Sequence, residues 1–130
     1  MSGSREELCV RARAARLVLE GRAEEALRLL ASYYGVPVPA LRVGLPRRCR
    51  RALGCYVASR RTIYVRSSAE YRDPLVVLHE FYHHLRSRLG RHRGTERHAD
   101  EYALEALRAL GEGVCLGEEE GGGDGEGGRG

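Results

Sequence analysis

The sequence predicts an α+β fold, and three observations predict it. Two amphipathic stretches, each closed by a glycine, open the chain. A β-rich segment fills residues 40–66, and two further helical patterns follow it. With 130 residues there is room for one hydrophobic core and none for a second, so residues 1–116 read as a single domain. Residues 117–130 hold eight glycines and no apolar residue, which predicts a disordered Gly/Glu-rich tail.

Each element has its own local reason. Ser4-Arg5-Glu6-Glu7 has the form of a capping box, Ser4 accepting from a first-turn N–H while Glu7 reaches back. The helix behind it is expected to reach about residue 20, with Leu8, Ala12, Ala15 and Leu19 on one face, and to stop at Gly21. A second helix, about 23–34, places Ala26, Leu27, Leu30 and Tyr33 at core spacing. Gly35 ends it, and Pro37 and Pro39 forbid its continuation. Leu41-Arg42-Val43, Cys55-Tyr56-Val57-Ala58 and Thr62-Ile63-Tyr64-Val65 are short strand-forming runs. Ser59-Arg60-Arg61 is the hairpin loop between the last two, and a small antiparallel sheet is expected. Asp73-Pro74 is a helix start, a cap followed by proline at the first helical position. This third helix should run to about residue 89, with Gly90 behind it and an apolar stripe of Leu75, Leu78, Tyr82, Leu85 and Leu89. Thr95 caps a fourth helix over about 96–110, closed by Gly111.

Composition narrows the function classes. The longest aliphatic run in the second half is Leu75-Val76-Val77-Leu78, far too short for a membrane span. Met1 to Glu7 lacks the apolar core of a secretion signal. A cytoplasmic protein with no membrane partner is the expectation. All 22 basic residues are arginine, and lysine, asparagine and glutamine are absent. Missing amides suit a heat-adapted source, a thermophile. The tail is acidic, which leaves +8 on residues 1–116 against +4 for the chain. A basic body can attract nucleic acid or a DNA-binding-protein partner, although arginine-rich faces are commonly only solvated. Cys9, Cys49, Cys55 and Cys115 form no CxxC pair, which argues against a zinc ribbon or a thioredoxin-type motif. Buried thiols are one reading. The other, open to heat-adapted microbes, pairs Cys49 with Cys55 and Cys9 with Cys115.

The chemistry-bearing residues lie in the third helix as His79-Glu80-Phe81-Tyr82-His83, an HExxH sequence. At about 100° per residue the two histidines sit about 40° apart on adjacent turns, so both imidazoles can meet one ion. Glu80 lies about 100° round from His79, placed to take a proton from a water rather than to hold the ion. With 5 histidines and 15 glutamates, a chain of this length shows one HExxH by chance about 2% of the time. The fourth helix adds support. Glu96 and Asp100 fall on the same face as Ala99, Ala103, Ala106, Leu107 and Leu110, opposite Arg97, His98, Glu101, Glu105 and Arg108. Carboxylates buried on an apolar face need a partner or a metal. Glu96 as third ligand and Asp100 as acceptor for the free N–H of a ligating imidazole satisfy both, with Ala99 and Ala103 allowing close helix approach.

His79-Glu80-x-x-His83 followed by Glu96-x-x-Ala99-Asp100 resembles the gluzincin metallopeptidases, whose third ligand comes from a Glu-x-x-x-Asp helix in which the Asp orients a histidine. Glu96-x-x-Ala99-x-x-Tyr102-Ala103 is similar to the Glu-x-x-Ala-x-x-Phe-Ala helix of the small ImmA/IrrE-like metallopeptidases, and the element order is similar over residues 23–110. The resemblance implies a minimal zincin-like domain. Zn²⁺ would be held by His79, His83 and Glu96, with Glu80 as general base, Asp100 behind a histidine, and a peptide or protein as substrate. One departure is that only twelve residues separate His83 from Glu96, which requires a tight turn over 90–94 and leaves little material for a substrate-binding subdomain. By analogy with the same families, strand Thr62–Val65 would offer an edge to an extended peptide. SprT-like metallopeptidases use a third histidine at a similar interval, which makes His98 a competing ligand, although it lies on the polar face. His84 and His92 read as exposed or structural. One of Tyr64, Tyr82 and Tyr102 is a candidate to polarise a substrate carbonyl. A zinc-stabilised regulatory module that binds nucleic acid or a repressor without turnover is the alternative, and a metal-free helical scaffold the second.

Overall fold

The computed structural model describes residues 4–89 and 96–115. The expected cap Thr95, the turn over 90–94, Gly90, His92 and the tail over 117–130 lie outside the described residues. Among the described residues the architecture is α+β, five α-helices and a three-stranded mixed sheet in the order α1 (Arg5–Leu19), α2 (Ala23–Tyr34), β1 (Ala40–Val43), β2 (Gly54–Val57), β3 (Thr62–Val65), α3 (Ser68–Tyr71), α4 (Pro74–Arg88), α5 (Glu96–Gly111). Among the described residues no helix is long and apolar enough to cross a membrane.

Local signals account for the helix ends. Ser4 Oγ accepts from the Glu7 N–H at 3.0 Å, and Asp73 Oδ1 accepts from the Leu75 N–H at 2.9 Å with Pro74 in the first turn. Gly35 closes α2 at φ 72°, a left-handed geometry that costs a residue with a Cβ. The helix α3, capped by Ser67, was not expected from the sequence; a four-residue turn is too short for a periodic pattern.

The sheet corrects the antiparallel expectation. Strand order is β1-β3-β2, with β2 antiparallel to β3 and β1 parallel to it. The hairpin forms in the predicted place, Cys55 opposite Tyr64 and Tyr56 opposite Ile63. Leu41 pairs with Ile63 on the other side. The Thr62–Val65 strand is therefore central and has no free edge among the described strands. Its Ile63 and Val65, which share one face, are fully buried in the core. The edge nearest α4 is β2.

Helix α4 is the middle of the molecule, packed against β2 and β3 on one side and α1, α2 and α5 on the other. Its buried arc is Val76, Val77, Leu78, Phe81, His84 and Leu85. The predicted stripe is thus displaced, with Leu75 and Leu89 exposed. Contact on two sides favours the valines and Phe81 over a single leucine row. Helix α1 shows a similar rotation. Val10, Arg11, Ala14 and Val18 join Ala12 and Ala15 inside while Leu19 faces out, because its many alanines leave the apolar face poorly marked. In α2, Tyr34 rather than Tyr33 packs on the core. In α5 the buried residues are Ala99, Tyr102, Ala103, Ala106 and Ala109, with Leu107 and Leu110 only half-buried.

Helix α5 is anchored by a buried guanidinium. Arg11, 1% exposed, donates from one nitrogen to the Tyr102 carbonyl at 3.1 Å and to Glu105 at 3.2 Å. Its guanidinium lies 4.4 Å from the Tyr102 ring centroid. Tyr34 donates to Glu7 at 2.7 Å, and its hydroxyl is 3.0 Å from that of Tyr102. Burial holds both phenols above their ordinary range, so they stay protonated. Disulfides join Cys9 to Cys115 and Cys49 to Cys55. The first spans 106 residues, a loop closure that costs the unfolded chain about 4–5 kcal/mol. The Cys9→Ser/Cys115→Ser variant should lose several kcal/mol in denaturant titration, while Cys49→Ser/Cys55→Ser, which opens a short loop, should lose less. Equal losses would contradict the ring-closure account.

Candidate metal centre

Two adjacent turns of α4 and two adjacent turns of α5 meet across a seam of small residues. Ala99 and Ala103 are wholly buried there, and no side chain larger than a methyl group keeps the helices apart at those positions. Across that seam His79 lies between two acids. Asp100 Oδ1 is 2.8 Å from Nδ1, and Glu96 Oε1 is 2.8 Å from Nε2. His83, one turn on, places Nε2 3.1 Å from Glu96 Oε2. The two imidazole centroids are 5.0 Å apart.

The proton inventory of these contacts is informative. A neutral imidazole has one N–H. If it points from Nδ1 to Asp100, the Nε2 lone pair faces a carboxylate oxygen at 2.8 Å, which is favourable only with a second proton or a cation between them. His83 Nε2 is buried with no hydrogen-bond partner, since the Glu96 oxygen lies within reach but off the hydrogen-bonding direction. Burial, opposed by Glu96, keeps the His83 ring below its usual basicity, hence neutral with a lone pair to offer. Lone pairs from two rings and an acid therefore converge on one place. Around tetrahedral zinc such donors stand about 3.3 Å apart, slightly wider than the 2.8 and 3.1 Å seen here. The residues fit a divalent ion.

His79, Glu80 and His83 also place one ligand atom each within 4.8 Å of one another, a group that can hold a metal ion. Glu80 Oε2 is 3.9 Å from His79 Nε2, farther than Glu96. The Glu80 side chain is buried against β2. Its carboxyl is pushed up to about 7, by burial first, opposed by His79 and reinforced by Glu96 and Asp100.

The predicted burial of the two α5 acids is corrected. Glu96 and Asp100 side chains are 77% and 73% exposed. They project from the start of the helix past the alanine seam and reach the histidines from the solvent side. Their position on the apolar face was enough to aim them, without enclosing them. His98, the competing ligand, is exposed on α5. His84 is structural and fully buried: Nε2 donates to the Pro37 carbonyl at 2.7 Å, so Nδ1 accepts from Tyr56 at 2.7 Å.

A cavity of about 550 Å³ opens beside the centre, with Gly54, Tyr56, Glu80, His83, Arg86 and Glu96 in its wall. Tyr64, Tyr82 and Tyr102 do not line it; Tyr56 does, with its hydroxyl engaged by His84. Gly54 escaped the sequence reading. A Cβ there would stand 2.7 Å from Val76 Cγ1 and 3.2 Å from Glu80 Cγ, so the glycine is what lets β2 lie against the HExxH helix. A glycine opening a strand run was the available signal.

Two outcomes follow. Gly54→Ala should cost about 1–3 kcal/mol, because Val76 is stiff at χ1 and cannot swing aside; an unchanged denaturation midpoint would contradict the packing. Glu80 is protonated more readily folded than unfolded, so its contribution to stability is present below pH about 4.5 and is lost as pH rises through about 7. In metal-free protein, the stability of wild type minus that of Glu80→Gln should fall by about 3 kcal/mol across that window. His83, whose slope has the opposite sign, is common to both proteins and drops out of the difference. A pH-independent difference would refute the assignment.

No protein-family profile matches this chain, and no curated protein or solved structure shows significant similarity to it.

Proposed function

We propose that the protein is a zinc-dependent peptide hydrolase in which His79, His83 and Glu96 hold the ion and Glu80 is the general base. The observation that carries this reading is the convergence of Nε2 of both histidines on one Glu96 carboxylate, 2.8 and 3.1 Å away, with Asp100 behind His79. Zinc, when bound, supplies Lewis acidity that activates a water and polarises the scissile carbonyl.

The chain's own residues do the rest. Asp100 fixes the His79 tautomer and ring plane through Nδ1. Burial of His83 keeps its nitrogen unprotonated. Glu80 sits beside the centre with a carboxyl whose affinity for protons is close to balanced at neutral pH. Such a group can take the proton of the attacking water and deliver it to the leaving amine as the C–N bond breaks. Water is thereby split across the peptide bond, with a carboxylate and an amine as products. Strand β2, an edge strand whose Gly54, Cys55 and Tyr56 line the cavity, is where an extended peptide can pair. This replaces the central Thr62–Val65 strand in that role.

Arg47, Arg48, Arg50, Arg51, Arg60, Arg61 and Arg66 are all exposed, and this favours the second reading, a zinc-stabilised module that binds nucleic acid or a repressor without turnover. One set of measurements separates the two. Protein prepared without an affinity tag should carry about one zinc per chain by elemental analysis and cleave members of a peptide library. Glu80→Gln should keep zinc and lose cleavage by at least about a hundredfold. His83→Ala should lose both, and Asp100→Asn should weaken zinc binding about 10–100-fold. Full cleavage by Glu80→Gln would refute the base assignment. Retained zinc with no cleavage by wild type, together with salt-sensitive DNA binding, would favour the second reading.

A further inference from the structure

The cavity beside the centre has charges that the hydrolytic reading does not use. Its acids, Glu80 and Glu96, belong to the centre. Its remaining charged residues are Arg48 and Arg86. Arg86 stands three residues after His83 on α4, hence on the same side of the helix. Its Nε is buried with no hydrogen-bond partner, and its guanidinium lies 5.8 Å from the Tyr82 ring centroid. Arg48 is exposed on a single 3₁₀ turn, Arg47–Cys49, and the Cys49–Cys55 disulfide ties that turn to β2, so the basic segment is held at the cavity wall. Among the described residues, neither guanidinium forms an ion pair.

We infer that this cavity takes a carboxylate of a peptide substrate, with Arg86 as its principal partner and Arg48 at the mouth. Guanidinium groups pair with carboxylates through two parallel N–H donors. Arg86 lines the cavity without an ion-pair partner among the described residues, so a carboxylate there meets an uncompensated guanidinium. The exposed arginines beside Arg48 draw acidic peptides toward the opening. The inference rests on the peptide-hydrolase reading and names its substrate class, peptides bearing an acid near the bond to be cut. An acidic side chain and a free C-terminus present the same chemistry.

The test uses binding, so it needs no turnover. Three fluorescein-labelled alanine-rich heptapeptides are titrated by anisotropy into the zinc-loaded Glu80→Gln protein: one with an internal Glu and an amidated end, one with Gln in its place, and one with Gln and a free C-terminus. A carboxylate peptide should bind about tenfold or more tighter than the neutral one. Whichever acidic peptide gains identifies the source, side chain or terminus. Arg86→Gln in the same background should bring the ratio within about twofold with zinc content and melting temperature unchanged, and Arg48→Gln should reduce it partly. Arg28→Gln, which removes the same charge on α2 away from the cavity, should leave the ratio intact. Equal affinities for all three peptides, or a ratio that survives Arg86→Gln, would overturn the proposal. So would an oligonucleotide that displaces the peptides in an Arg86-dependent way. Acid-selective binding without cleavage by the native protein would sink the hydrolase reading alone. Cleavage indifferent to peptide carboxylates would sink this one alone.

Discussion

The close approach of α5 to α4 is the constraint on which the rest depends. Glu96 and Asp100 are short side chains on exposed backbone, and they reach one imidazole from its two nitrogens only because Ala99 and Ala103 let the helices touch. A larger residue at either position would separate the axes by more than the hydrogen bonds can span. The i, i+4 spacing of the two acids, about 6 Å along the helix, lets them bracket one ring with a 2.8 Å contact at each nitrogen. Helix geometry sets the spacing of the donors, and packing sets their distance.

Contacts at the middle of α5 and behind its C-terminus explain why that approach is fixed. Arg11 reaches from α1 to the Tyr102 carbonyl, the Tyr34 hydroxyl ties α2 to the same place, and the Cys9–Cys115 bridge joins α1 to the segment behind α5. A buried guanidinium is expensive to desolvate, and the two acceptors that offset that cost, the Tyr102 carbonyl and Glu105, both belong to α5, which ties that helix to α1. A polar cluster in the middle of the helix and a disulfide behind its C-terminal end thus hold the carboxylates of its first turns in place.

The opposite face of α4 gives the centre its reactive character. Strand β2 lies close enough at Gly54 to bury Glu80, and burial raises the carboxyl toward neutrality. The same closeness leaves the edge of β2 beside the cavity, so Glu80, His83, Glu96 and an edge strand adjoin one space. The raised proton affinity of buried Glu80 lowers stability near neutral pH, and in the proposed hydrolase it is this carboxyl that would take up and return the proton.

Much of this was legible in the sequence. HExxH on a proline-started helix, and Glu96 and Asp100 four residues apart on an alanine-rich face, follow from helical periodicity, which is a local property. The hairpin and the helix caps are local as well. Tertiary structure decided the rest. Whether β1 ran parallel or antiparallel depended on the route of residues 44–53, and no alternation pattern encodes a strand's neighbour. Nothing local marks Arg11 for burial, because the two groups that accept its hydrogen bonds lie 91 and 94 residues away. Gly54 and the exposure of the two acids depended on how closely separate elements approach, a distance that sequence spacing within one helix or strand does not contain.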